Sequence, residues 1–316
     1  MSLTQTTVLL DPPAQGGDRP APAGGALQQP ARSRSRALPA ARWPKAVRFA
    51  VRRPGLVLSL ALLLVVVVAA FAPGLVAPGD PETGITAEKL QAPSAAHLFG
   101  TDHLGRDLFT RVVHGTALSL RTALVAVGLA LVVGGLLGVT AGFLGGWVDN
   151  VVMRVVDVLM AIPSLLLSLA LIAALGFGPT NVAIAVAVGS IATFARIARS
   201  QTLRVCQATY VEAARSLGSR WHVTLRWHVL PNASGPILAL AVLEFGMAIL
   251  AVSALSFLGY GAPRPAPEWG SLVSEGRNFL ATASWLTTLP GLTIAATVLA
   301  VNRVSKALDG EWGGFR

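Results

Sequence analysis

A chain of 316 residues would ordinarily make two soluble domains, but a composition of 53% apolar and only 13% charged residues excludes that class and points to a membrane protein, whose length counts spans. The net charge of +10 is no nucleic-acid signature, because the basic residues lie in an N-terminal tail and in loops between apolar runs, where charge asymmetry across a membrane accounts for them. A single cysteine, Cys206, excludes an internal disulfide, and no Cys/His cluster has metal-ligand spacing.

Residues 1–45 are rich in Pro, Ala, Gly, Gln and Arg without an apolar period, the composition of a disordered basic tail. Arg32, Arg34, Arg36, Arg42, Lys45, Arg48, Arg52 and Arg53 precede the first apolar run, residues 55–72, and such a cluster holds the N-terminus in the cytoplasm, within reach of anionic lipid headgroups. Ala70-Phe71-Ala72 has the small-x-small look of a signal cleavage site. The run is too long for a signal core, the tail before it is also too long, and Pro73 would follow the cut. This first span is expected to remain.

Residues 73–117 are polar and expected outside. Within them LFGTDHLGRDLFTR sets Asp102 four residues before Arg106 and Asp107 four before Arg111, the favourable order for helical pairs, so a short surface helix capped near Thr101 or Asp102 is expected. A core of five further helices should occupy 118–308. The second span, from about Leu118, carries Gly134, Gly138 and Gly142 at four-residue spacing, a stripe that lets helix backbones approach closely in lipid. The third is expected at 151–175, with Arg154 and Asp157 near its start able to pair. The fourth, 182–195, is short for a bilayer and must extend towards Ala198 or tilt little.

Between the fourth and fifth spans lies a basic island, YVEAARSLGSRWHVTLRWHVLP, residues 210–231. Its apolar positions Val211, Ala214, Leu217, Trp221 and Leu225 follow helical spacing, leaving Glu212, Arg215, Ser219, Arg220 and Arg226 outside. Arg196, Arg199, Arg204, Arg215, Arg220 and Arg226 against the lone acid Glu212 argue for a cytoplasmic position. Pro231 and Pro236 lead into the fifth span, which ends near Leu258. Glu244 lies inside it, where an unpaired charge in hydrocarbon is expensive; it faces the bundle interior, a partner subunit or the translocation path, or it is protonated. The sixth span covers 286–302, and residues 309–316 follow on the cytoplasmic side. Six spans with both termini inside leave only Lys89, Arg106, Arg111, Arg121, Arg264 and Arg277 of the 25 Lys and Arg outside. No catalytic constellation appears, and the three lysines, Lys45, Lys89 and Lys306, follow Pro44, Glu88 and Ser305, so no GxxxxGK[ST] phosphate loop exists.

Glu212-Ala213-Ala214 with Gly218, then nine residues and a lead through His228 to Leu230-Pro231, resembles the EAA signature in the cytoplasmic loop of bacterial ABC importer permeases. The commonest form of that signature has Ile where His228 stands, and His is usual in the peptide and nickel branch. GTDHLGRD likewise resembles a signature of dipeptide, oligopeptide and nickel permeases. SFLGYGAPRPAPEWGSLVSEGR, residues 256–277, resembles an external segment of the same family, with Arg264 where a second proline often stands. The resemblance, which covers 98–308, implies an all-α type I ABC importer permease fold in the bacterial inner membrane and a C-type subunit paired with a homologous B-type permease. It also implies two ATPase subunits holding ATP and Mg, with no cofactor or metal in this chain, and a substrate-binding protein outside.

The same resemblance implies that the loop 199–235 couples to the ATPase through Glu212, Ala213, Ala214, Arg215, Gly218, Leu230 and Pro231; Glu244, as a lone acid within its span, is a candidate for the path. Asp102, Arg106, Asp107 and Trp269 are then candidates for contact with the binding protein. Di- or oligopeptides are the implied solute; nickel, glutathione, haem or another small solute suit the same motifs. A secondary transporter or channel would need its own ion site, for which Glu244 and Asp157 are the sole candidates. A membrane-anchored basic binding protein predicts one span, not six.

Overall fold

The computed structural model describes residues 54–312 and shows, among them, helices joined by tight loops and no strand beyond one isolated bridge, Thr101 to Asp107. The basic tail falls outside the described residues. Helix α1, Pro54–Phe71, starts on a proline and ends where Pro73 forces Ala72 out of the helical region, at φ −141°. The one-turn α2, Pro73–Val76, leads into a loop that runs to residue 107.

This loop corrects the expected surface helix. Residues 101–107 lie beside 85–91, held by Ile85 N–H on Gly105 O at 3.1 Å, Leu90 N–H on Asp102 O at 3.1 Å and Thr101 N–H on Gln91 O at 3.0 Å. Asp107 caps the next helix, accepting from Thr110 N–H at 2.8 Å, instead of pairing with Arg111. That helix, α3, is Leu108–Leu144. At 1.5 Å per residue it is roughly 55 Å long, so it starts well before the expected membrane boundary and projects beyond it.

The expected third span is two helices, α4 Gly146–Ala161 and α5 Ser164–Leu175, bent by 94°. Pro163 is the cause: it drives Ile162 into an extended conformation, φ −96° and ψ 128°, and supplies no donor. Helix α6, Pro179–Cys206, extends the short fourth span at both ends. A short helix, α7 Thr209–Ser216, precedes α8, Trp221–Phe257, which contains a π-helical segment at Thr224–Val229. Helix α9, Trp269–Gly276, and the long α10, Trp285–Trp312, complete the order.

Five of these helices are long and apolar enough to cross a membrane, and the bent α4–α5 pair supplies a sixth if counted as one span. Their outer faces stay apolar: Leu58, Leu64, Leu124, Leu136 and Leu299 are all exposed, as suits side chains facing lipid. The centre is the parallel packing of α3 on α6. Cβ atoms built on Gly134, Gly138 and Gly142 would lie 2.5, 2.2 and 2.8 Å from the carbonyl oxygens of Ile191, Ala195 and Arg199, so the glycine stripe is the seam of the bundle. Helix α4 is pinned to the same helix by ion pairs of Asp149 with Arg199 and of Asp157 with Arg196, the latter at 2.7 Å. Asp157 therefore pairs across helices, not with Arg154.

Candidate docking surface, outer lock and intramembrane cavity

The helix-turn-helix at 209–231 is built by one glycine. Ser219 N–H reaches Ala214 O at 3.1 Å and Gly218 N–H reaches Arg215 O at 2.9 Å, which closes α7 with a Schellman motif around Gly218 at φ +82°. A Cβ there meets nothing within 4 Å, so the requirement is for the left-handed backbone and not for space. This explains the EAAxxxG spacing: the glycine stands at the position that ends the helix carrying Glu212, Ala213 and Ala214.

Val211 is fully buried and anchors α7 to the core, while Arg215 sits over the Phe143 ring at 5.5 Å. One continuous apolar face does not form. The turn at Gly218 swings the chain, so Leu217 is 89% exposed, and Trp221 and Trp227 are also exposed. Glu212, Ala213, Arg215, Gly218, Leu230 and Pro231 are exposed as well, and Ala214 is partly covered. The π segment ends where Pro231 removes a donor: Leu230 N–H reaches back to Leu225 O, and the Asn232 side chain donates to His228 O at 2.7 Å. An exposed apolar and charged tip on a buried base makes this stretch a candidate docking element.

At the opposite end, four of the motif residues form one buried ion-pair network. Asp102 Oδ2 accepts from Arg106 Nε at 2.7 Å and Arg111 Nη1 at 3.1 Å, and Glu275 Oε2 accepts from Arg111 Nη1 at 2.7 Å and Arg106 Nη2 at 3.3 Å. All four side chains are less than a tenth exposed, with the exposed Arg264 at the rim, 3.5 Å from Glu275. Asp107 stands outside this network, its carboxylate 3.0 Å from His97 Nδ1. Trp269 is fully buried, donating its indole N–H to Val112 O at 3.0 Å and its backbone N–H to Ser119 at 3.1 Å. The expected binding-protein contacts are corrected accordingly: Asp102, Arg106 and Trp269 are inside, where they tie the loop, α3 and α9 together. Glu275 and Arg111 are the members that sequence reasoning missed.

Glu244 sits halfway along the apolar Leu230–Phe257 stretch and faces a cavity of ≈ 230 Å³ between α5, α6 and α8. Its Oε2 accepts from Ser190 Oγ at 3.1 Å. Ser164, Ser168, Thr193 and Met247 also line the space, and no Lys, Arg or His does. Ser164 reaches it only because the Pro163 bend places the start of α5 there.

Comparison with known proteins turns these features into a family assignment. Residues 134–311, more than half the chain, match the family described as binding-protein-dependent transport system inner membrane component. The chain belongs to that family. The match spans the docking element, the cavity and Glu275, while the loop 101–107 lies before it. Relatives of this permease include a probable D,D-dipeptide transport system permease protein, DdpC, of Escherichia coli K12, 41% identical over 80% of this chain and 86% of that one. They also include the dipeptide transport system permease protein DppC of Alkalihalophilus pseudofirmus, 38% identical over 77% and 80%, and the glutathione transport system permease protein GsiD of Shigella flexneri, 44% identical over 83% and 86%.

Among solved structures, the permease is similar to a chain of the MetNI methionine ABC transporter in inward-facing conformations (18% identity, TM-score 0.51, covering 63% of this chain and 96% of that one). It is also similar to a chain of an amino acid ABC transporter crystallised with histidines (18%, TM-score 0.52, 64% and 94%). The fold is thus the all-helical type I importer permease fold, and the protein is a multi-pass bacterial membrane protein.

Proposed function

We propose that this chain is the permease subunit of an ABC importer that moves di- or oligopeptides into the cell, driven by ATP hydrolysis on separate subunits. The observation that carries the reading is the docking element: a Schellman-closed helix and an exposed tip of Leu217, Trp221 and Trp227, anchored through Val211. In this reading the tip, with Glu212, Ala213, Ala214, Arg215, Gly218, Leu230 and Pro231, seats in an ATPase subunit that binds ATP and Mg. A homologous B-type permease and two ATPase subunits complete the machine, and a binding protein delivers solute. The end bearing the docking element and both termini are cytoplasmic, and the 101–107 end faces outward, which agrees with the distribution of Lys and Arg. Closure of the ATPases moves the two docking elements together, and the helical bundles rock about a central path lined by Glu244.

Peptide transport is favoured over nickel or haem because relatives are named for dipeptide, D,D-dipeptide and glutathione transport, all peptide-like solutes.

The test is uptake of a labelled dipeptide into vesicles holding the chain with its partner subunits. Glu212→Lys and Gly218→Val are expected to abolish ATP-driven uptake at unchanged membrane content, the second because a β-branched residue at φ +82° costs about 1–2 kcal/mol and unwinds the cap. Wild-type rates in both variants would remove the coupling role.

A further inference from the structure

We infer that the Glu244 cavity receives the protonated amino terminus of the transported peptide. This rests on the transport reading above and adds to it a recognition site within the permease itself. Two of the four hydroxyls that line the cavity have committed their protons, Ser190 to Glu244 at 3.1 Å and Ser168 to the Ala185 carbonyl at 3.2 Å, while those of Ser164 and Thr193 rotate to suit a ligand and can accept as well. What Ser190, Ser168 and Glu244 still present to the cavity is acceptors, the lone pairs of two serine oxygens and the remaining capacity of a carboxylate that can accept about four hydrogen bonds. An ammonium group is the complement, with three donors, no acceptor and one positive charge.

The size of the cavity narrows the choice further. At ≈ 230 Å³ it lies below the roughly 300–1,000 Å³ of sites that enclose a whole small ligand, so it takes one end of a solute. A divalent cation is disfavoured on charge: the single carboxylate balances one positive charge, and the rest of the lining is neutral, so a doubly charged ion would keep a net charge in a largely apolar site. Met247 and the small apolar residues beside it leave room for the first side chain without selecting it. The site therefore reads the free amine that all such peptides share and ignores the sequence that differs.

The experiment uses the complete complex with both permeases, the ATPases and the binding protein, reconstituted in vesicles, with alanyl-alanine as probe. Glu244→Gln is expected to lower alanyl-alanine uptake by about tenfold at saturating binding protein, the loss of one hydrogen bond to a charged group, with Glu244→Asp recovering part of it. In parallel, Met247→Cys in a Cys206→Ser background places a thiol on the cavity wall. Millimolar alanyl-alanine is expected to slow its modification by a maleimide several-fold, whereas N-acetyl-alanyl-alanine is not.

If the wild-type complex moves no dipeptide under ATP, the transport reading falls. If it moves dipeptide while Glu244→Gln stays within twofold and both probes protect alike, the amino-terminus site alone falls. Should Glu244→Gln fail to assemble because the carboxylate pairs with a cation of the neighbouring permease, the thiol experiment decides with Glu244 intact: selective protection upholds the site and equal labelling overturns it.

Discussion

Glu275→Ala is expected to destabilise the protein by about 3–5 kcal/mol, the cost of leaving a buried charge without its partner. Arg106 and Arg111 are 6% and 1% exposed, and with Asp102 and Glu275 they form a set of two cations and two anions. Removing one carboxylate leaves two guanidinium groups sharing Asp102. Arg111 has no slack to absorb this, since its Nε already lacks a hydrogen-bond partner. The network joins residues 164 positions apart, so its loss frees the loop 101–107 and α9 from the start of α3. Thermal unfolding in detergent measures the effect. A charge-balanced double variant, Glu275→Gln with Arg106→Met, should lie closer to wild type than either single change. An unchanged unfolding midpoint for Glu275→Ala would show that the network carries no stability.

Gly138→Val is expected to prevent recovery of a folded permease, at a cost of about 3 kcal/mol or more, because the obstruction is backbone and has no rotamer to change. The added Cβ would lie 2.2 Å from Ala195 O and 2.7 Å from Ala198 Cβ, so α3 and α6 must separate. The control is on the same helix: a Cβ on Gly135 meets nothing within 4 Å, and Gly135→Val should fold normally. Equal yields and midpoints for the two variants would dissociate the glycine stripe from helix packing.

Much of this architecture was legible in the order of residues, and each part that was not has a physical cause. Apolar runs marked the membrane helices and four-residue glycine spacing marked a close helix seam, because both are local patterns. The Pro163 break was written in the chain as Ile-Pro-Ser, yet apolar residues on both sides carry no period that a 94° bend would interrupt. Asp107 and Arg111 had the spacing of a helical pair, and nothing local could tell that Arg111 would turn to Glu275 while Asp107 capped α3. Trp269, beside a proline-rich stretch, had the look of an exposed loop residue; its burial depends on Val112 and Ser119, some 150 residues away. A helical period drawn straight through Gly218 placed Leu217 and Trp221 on a buried face, and the reversal of the chain at that residue puts them at the surface. Glu244 was visible as a lone charge, but the hydroxyls around it converge only in three dimensions.

The tip around Gly218 is proposed to seat an ATPase subunit. A photo-crosslinking amino acid at Leu217, the most exposed apolar side chain of the element, tests it most directly in the assembled complex, with the fully buried Val211 as the reference position. Leu217 is expected to crosslink to the ATPase subunit and Val211 only within the permease. Crosslinks from Leu217 to lipid or to another permease, with none to the ATPase, would contradict it.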